Sequence, residues 1–260
     1  MSNIPTISLA AEQVGQIGSF PLMNSVVATI TTSVVVLVFT FLVRRNAGVV
    51  PSRLQSLVEL PMEFFLGQLT TSLGSEKLAK RAVVFMMSLC LFLLVANNFG
   101  LIPLLGAIVN SEGAAIFRTP SSDYSLPIAL ALSTILFMHI FAFSISPLRH
   151  IGNFIKIGPF FKIKNLNDFI MAVVGFFLGL LDIVGEIGKI ISLSTRLFGN
   201  VFAGEVILII ISGLAFFTQF FVPIPFIILS VTSSIIQAMV FPLLASLFMG
   251  GLVKGVTEEA

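Results

Sequence analysis

Lys189-Ile-Ile-Ser-Leu-Ser-Thr-Arg-Leu-Phe-Gly-Asn-Val-Phe-Ala-Gly-Glu205 sets a lysine, an arginine, an asparagine and a glutamate inside an apolar run long enough to cross a bilayer. A charged side chain near the membrane centre costs at least ~2.5–3.5 kcal/mol on insertion scales. Arg196 cannot escape that cost by losing its proton, because a guanidinium stays charged at any relevant pH. Such a placement points to function.

The rest of the chain supplies the membrane. Of its 260 residues, 57% are apolar and 10% are charged, with a mean hydropathy of +1.08, which excludes a soluble globular domain of this length. A net charge of +2 gives no reason to expect a nucleic-acid partner. Cys90, the one cysteine, rules out an intrachain disulfide and argues against a cysteine-based metal site. The beginning, Met-Ser-Asn-Ile-Pro-Thr-Ile-Ser, lacks the basic region of a secretory signal and reads as mature sequence.

Hydropathy predicts an all-α polytopic membrane protein forming one membrane domain over 1–260. An outer N-terminal segment (1–23) leads to a first span (24–45), an amphipathic surface helix (53–75), a second span (82–105) and a third (126–147). A long helical hairpin (168–253) follows. The surface helix rests on apolar residues at Leu54, Leu57, Val58, Pro61, Phe65 and Leu69, with Glu59 and Glu63 on the other side. The first arm of the hairpin runs to about Phe220, roughly 75 Å at 1.5 Å per residue, against a hydrocarbon core of ~30 Å. Either it breaks near Gly199 or Gly204, or it lies strongly tilted; its central polar residues favour the tilt. Phe221-Val-Pro-Ile-Pro225 is the expected turn into the second arm.

Arg44 and Arg45, then Lys77, Lys80 and Arg81, then Arg149, Lys156, Lys162 and Lys164 can all share one side, which the positive-inside rule makes cytoplasmic. The N-terminus then lies outside and the C-terminus inside, in a multi-pass cell (inner) membrane protein. The loop on the other side carries Arg118 against Glu112 and Asp123.

At ~100° per residue, Asp182, Glu186, Lys189, Arg196 and Asn200 fall within about 80° on one helix face. Glu205 sits on roughly the opposite face, about 13 Å further along the axis. In the second arm Ser230, Ser234 and Gln237 recur at i, i+4 and i+7, and the hairpin makes Gln237 and Glu205 candidate neighbours. Polar side chains in membrane helices also serve simply as interhelical glue. That reading suits the serines better than Arg196, since a structural link needs no permanent cation. By depth, Asp182 and Glu186 lie toward the cytoplasm, Arg196 near the middle and Glu205 toward the outside. A fixed cation between two carboxylate-lined inlets interrupts a proton path, so something mobile must carry the ion across. A carboxylate on a moving partner would do this, being tolerated by lipid when protonated and facing Arg196 when not. His139 is expected to be a buried, hydrogen-bonded imidazole and His150 a solvated residue of a basic loop, with no metal cluster at either.

The motif Ser192-Leu-Ser-Thr-Arg-Leu-Phe-Gly-Asn-Val-Phe-Ala-Gly-Glu205 resembles the S-L-x-x-R-L-F-G-N-x-x-A-G signature of subunit a of rotary F-type ATP synthases. The likeness extends to Glu-Lys-Leu-Ala-Lys-Arg81, to Asn97-Asn-Phe-Gly-Leu-Ile-Pro103 and to the Gln237-Ala-Met-Val-Phe241 stretch, so it covers nearly the whole chain. It implies a stator without a catalytic site or cofactor of its own, conducting protons, or Na+, through two offset half-channels to a ring of c subunits. Peripheral-stalk b subunits, other ATP synthase subunits and lipid are the further implied partners. On this resemblance Arg196 faces the ring carboxylates; Asn200, Glu205 and Gln237 belong to the outer half-channel; Asp182, Lys189 and Ser192 belong to the inner access route. Glu186 is an additional acid on that inner stripe. Some members carry histidine where this chain has Ser230, and some an acid where it has Gly100. Glu205, where mitochondrial members commonly carry histidine, leans toward a bacterial or plastid-like protein. The chief alternative is a secondary ion-coupled transporter, which often shows paired repeats with broken helices, and no repeat is visible here. A purely structural membrane anchor gives no reason for the charges.

Overall fold

The structure is a computed structural model that describes residues 13–18, 20–46, 48, 50–100, 118–154, 166–214 and 222–257. Seven helices occur among them: α1 (Asn24–Arg45), α2 (Arg53–Leu73), α3 (Glu76–Phe99), α4 (Ser125–Ile145), α5 (Pro147–Phe154), α6 (Leu166–Leu214) and α7 (Pro223–Thr257). A 3-10 turn at Pro120–Ser122 precedes α4. Five helices, α1, α3, α4, α6 and α7, are long and apolar enough to cross a membrane.

Two features depart from the purely helical expectation. The segment before α1 contains an antiparallel hairpin, β1 (Gln13–Ile17) with β2 (Phe20–Met23), turning at Gly18, whose φ is +65°. Residues 147–154, expected as basic loop, form α5. The rest of that loop, with Lys156, Lys162 and Lys164, lies outside the described residues, as do residues 101–105 of the second expected span.

Local chemistry accounts for the element boundaries. Ser52 Oγ accepts from the Gln55 amide 3.3 Å away and caps α2. Gly74, at φ +67°, ends the same helix in the left-handed conformation that glycine tolerates best, and its N–H bonds Thr70 O. The second span starts earlier than expected because Glu76, Lys77 and Lys80 form its first turns, with Lys80 Nζ 2.6 Å from Glu76 Oε1. On the widely exposed α1, the hydroxyls of Thr29, Thr31, Ser33 and Thr40 each donate to a carbonyl one turn back, so these groups are satisfied within the helix.

The long helix contains no break at Gly199 or Gly204: α6 runs 49 residues, about 74 Å, without interruption. Of the expected turn, Pro223 and Pro225 sit in the first turn of α7, where no helical N–H is needed. Pro242 lies inside α7, which nonetheless continues 35 residues in all.

Packing centres on α3, which lies against α2 and α7, while α4 packs on α6 and α7. Phe65, Leu69, Met86, Leu93, Met138, Leu193, Leu197, Phe241, Met249 and Val253 form one core, each essentially without exposed surface. The surface helix contributes only its C-terminal half: Phe65 and Leu69 are buried, whereas Leu54 and Leu57 of the expected apolar stripe remain exposed. Contacts between elements define two ends. One joins Ser25 to Asp123 and Asn97 to Ser121. Toward the other, α5 folds back beside α4, and Arg44, Arg45, Lys77, Lys80, Arg81 and Arg149 all belong to helix ends on that side.

Candidate functional site

The polar stripe of α6 separates into three environments. Arg196 is exposed, together with Ser192, Thr195, Gly199 and Ala203, which share its face. A side chain built at Gly185, Gly188 or Gly199 would meet nothing, so this face is flat and open. Among the described residues no carboxylate pairs with Arg196. Asp182 is exposed toward the N-terminal part of α6.

Asn200 turns inward. Its Oδ1 accepts from Ser233 Oγ at 2.6 Å, and its Nδ2 donates to Ser233 O at 3.4 Å, clamping α6 to α7. One turn further along α6, Gly204 approaches Ser230 so closely that an added Cβ would lie 3.2 Å from the Ser230 Oγ. Between these two contacts Asn97, Asn200, Val201, Gly204, Glu205, Ser230 and Ser234 line a small cavity with room for about one water molecule. Glu205 is 18% exposed, and its Oε2 lies 3.5 Å from Nε of Arg118, itself 16% exposed. Arg118 precedes the 3-10 turn, beyond the gap between α3 and α4 in sequence, so nothing in the local pattern ties it to Glu205.

Gln237 stands elsewhere than expected. The pairs Asn200 with Ser233 and Gly204 with Ser230 fix an antiparallel register, and extending it carries Gln237 to the level of Arg196 and Leu197 rather than of Glu205. Ser230 and Ser234 take the place beside Glu205. Gln237 is buried, and its Nε2 has no hydrogen-bond partner among the described residues. Asn97, buried at the end of α3, accepts from Ser121 Oγ at 2.7 Å. It joins the cavity through the Asn-Asn-Phe-Gly motif.

Glu186 and Lys189 form a half-buried pair, Nζ to Oε1 2.6 Å, and Lys189 Nζ lies 5.2 Å from the Phe248 ring centre. His139 on α4 reaches them: its Nε2 is 3.5 Å from Glu186 Oε2. Its Nδ1 is 3.2 Å from Nε2 of His150. His139 is thus hydrogen-bonded, as expected, but it is half-buried rather than buried. His150 is not solvated, because α5 folds it against α4 and leaves it 7% exposed beside Phe154. Burial first, and the neighbouring His139 second, push its imidazole below the ordinary histidine range, with Glu186 opposing. No group of three or more His, Cys, Asp or Glu side chains suited to a metal ion occurs among the described residues.

The arrangement is a cation on an open face, flanked toward one end by a polar cavity holding a carboxylate and toward the other by a second carboxylate, Glu186, paired with Lys189. The family model described as ATP synthase A chain matches residues 26–250. The ATP synthase subunit a of Moorella thermoacetica is 29% identical over 244 residues, covering 94% of this chain and 96% of the relative. That of Trichlorobacter lovleyi is 28% identical over 237 residues, 91% and 88% of the two chains. That of Streptococcus pneumoniae serotype 19F is 30% identical over 231 residues, 86% and 88%. The chain belongs to the ATP synthase A chain family.

Proposed function

We propose that this chain is the stator of a bacterial-type rotary ATP synthase, with Arg196 opposing the carboxylates of a c-ring that turns past the open face of α6. The observation that carries this reading is Arg196 itself: exposed, with no carboxylate partner among the described residues, and bordered by Ser192, Thr195, Gly199 and Ala203. Small residues allow close approach of a partner helix. A permanent cation in an apolar face is costly unless an anion, backbone carbonyls or water meet it, and a carboxylate carried past on a ring would do so.

In this reading Arg118, Asn200, Glu205, Ser230, Ser234 and Asn97 belong to the outer half-channel, and Asp182, Glu186, Lys189 and Ser192 to the inner one. Gln237 supports the barrier between them. Basic residues gathered at one end support an N-terminus outside and a C-terminus in the cytoplasm of a cell (inner) membrane. Helices of about 74 and 52 Å fit a ~30 Å core only when steeply tilted, as a hairpin wrapped against a ring would be. The exposed apolar residues of α1 and of the first half of α2 suit lipid and peripheral-stalk b subunits.

A protonated ring carboxyl crosses the lipid; on the outer side it has been loaded through the Glu205 cavity, and near Arg196 it loses its proton to the inner route. The guanidinium favours the ionised carboxylate by direct attraction and blocks proton flow straight through. Each elementary charge moved contributes ~2.3 kcal/mol per 100 mV.

Disulfide cross-linking of the assembled complex tests the face. With Cys90 replaced by serine, Ser192→Cys and Thr195→Cys should each cross-link to cysteines placed mid-membrane on the outer helix of the c subunit. Leu37→Cys, likewise exposed but on α1, should not. Cross-linking from Leu37 but not from the Arg196 face would overturn the reading.

A further inference from the structure

His139 and His150 belong to no part of the path just described, yet they are joined to it. His139 is the middle member of a chain. Its Nε2 faces Glu186 Oε2 at 3.5 Å, and its Nδ1 faces His150 Nε2 at 3.2 Å. Lys189 holds the other oxygen of Glu186 at 2.6 Å, which leaves Oε2 directed to the imidazole. At the far end His150 Nδ1 is buried and has no partner among the described residues, and its neighbour on α5, Arg149, is exposed. One ring nitrogen of His139 is hydrogen-bonded to a second imidazole on α5, and the other lies 3.5 Å from a carboxylate oxygen on α6 that has no hydrogen-bond partner among the described residues. A histidine used only for packing has no need of that geometry.

We propose that Glu186, His139 and His150 form a proton relay that connects the inner half-channel to the cytoplasm. The inference rests on the inner access route set out above. In the synthesis direction Glu186, protonated on Oε2 by a ring carboxyl, passes that proton to Nε2 of His139. His139 passes its Nδ1 proton to Nε2 of His150, and His150 gives up its Nδ1 proton to a water that must first reach this buried, unpartnered nitrogen from the cytoplasmic side as α5 opens. One proton has left, Glu186 is a carboxylate, and each imidazole is neutral with its hydrogen on the opposite nitrogen. Exchange of ring tautomers, or the reverse transfer during ATP hydrolysis, restores the start. The other charged groups on the packed elements are Asp168, Asp182, Lys189, Arg196 and Glu205 on α6, Arg149 on α5 and Lys254 on α7. An imidazole chain passes H+ and not Na+, so the flux it carries is independent of sodium.

The test uses the intact ATP synthase in proteoliposomes, reading ATP-driven and passive proton flux while the pH on the cytoplasmic side of the complex is varied. His139→Gln and His150→Ala should each lower flux several-fold and change its dependence on the pH of the cytoplasmic side. Imidazole added on that side should restore part of the flux of His150→Ala. His150 lies on a short peripheral helix, so this variant decides the matter if His139→Gln fails to assemble. Wild-type flux in assembled His150→Ala overturns the relay, as does a loss of flux with unchanged pH profile and no response to imidazole. Arg196→Ala, measured alongside, separates the two ideas: if it still couples, the stator reading falls, and if only the histidine variants behave as wild type, the relay alone falls.

Discussion

At Arg196, Asn200 and Glu205 the chemistry of single side chains is legible in the sequence alone, because charged and amide groups inside an apolar helix have few uses. Their partners are not. Arg118 lies 3.5 Å from Glu205 only because the segment before α4 returns over α6, and His150 is buried only because α5 folds back. Both are tertiary facts that no local spacing encodes. Arg118→Ala should lower proton flux several-fold in ATP-driven fluorescence quenching, while Arg118→Lys, which keeps the cation, should retain most of it. The buried His150 predicts a pH effect with a definite sign. In the unfolded chain the ring titrates near about 6.5, and in the fold its affinity for a proton is lower. As pH falls through about 6.5 and then through the lower folded value, the unfolded state takes up the proton first, and stability is lost; at higher pH both states are neutral and the term vanishes. Thermal unfolding of the complex in detergent at about pH 7.5 and 5.5 should therefore show a smaller acid shift in His150→Gln than in the parent.

Among the elements, the five long helices and α2 follow from apolar run length and periodicity, and α2 ends at Gly74 where a left-handed cap is needed. The short elements do not. α5 has eight residues, too few for a periodicity argument, although Ser146 followed by Pro147 is a helix-start signal that marks it. The β1–β2 turn is likewise marked only by Gly18. Helical spacing alone puts Gln237 too far out, since the register of a hairpin depends on close contacts such as Gly204 with Ser230. That contact yields its own prediction. Gly204→Ala should be tolerated, because the Ser230 hydroxyl can rotate away from a Cβ 3.2 Å distant. Gly204→Leu should separate α6 from α7, destabilise the chain by about 1–3 kcal/mol and close the cavity, seen as a lower melting temperature together with lost proton flux. Gly250→Ala offers less room. Its Cβ would lie 2.8 Å from the Ser72 Cβ and 2.9 Å from the Ser72 carbonyl oxygen, which belongs to the backbone of α2. A loss of about 1–3 kcal/mol is expected there too, with flux through the assembled complex unchanged.

For the whole molecule, the open face around Arg196 and the wide apolar surface of α1 and α6 describe a protein built to be covered by lipid and other subunits. Reconstituted alone, the chain should move no solute in an ion-coupled manner, whereas a secondary transporter would. The central claim is that Arg196 meets a moving carboxylate and so ties proton flow to rotation. The most direct measurement is ATP-driven proton pumping by proteoliposomes containing the complete ATP synthase with Arg196→Ala. Pumping should be abolished while the soluble head continues to hydrolyse ATP; coupled pumping retained at the parent rate would contradict the account.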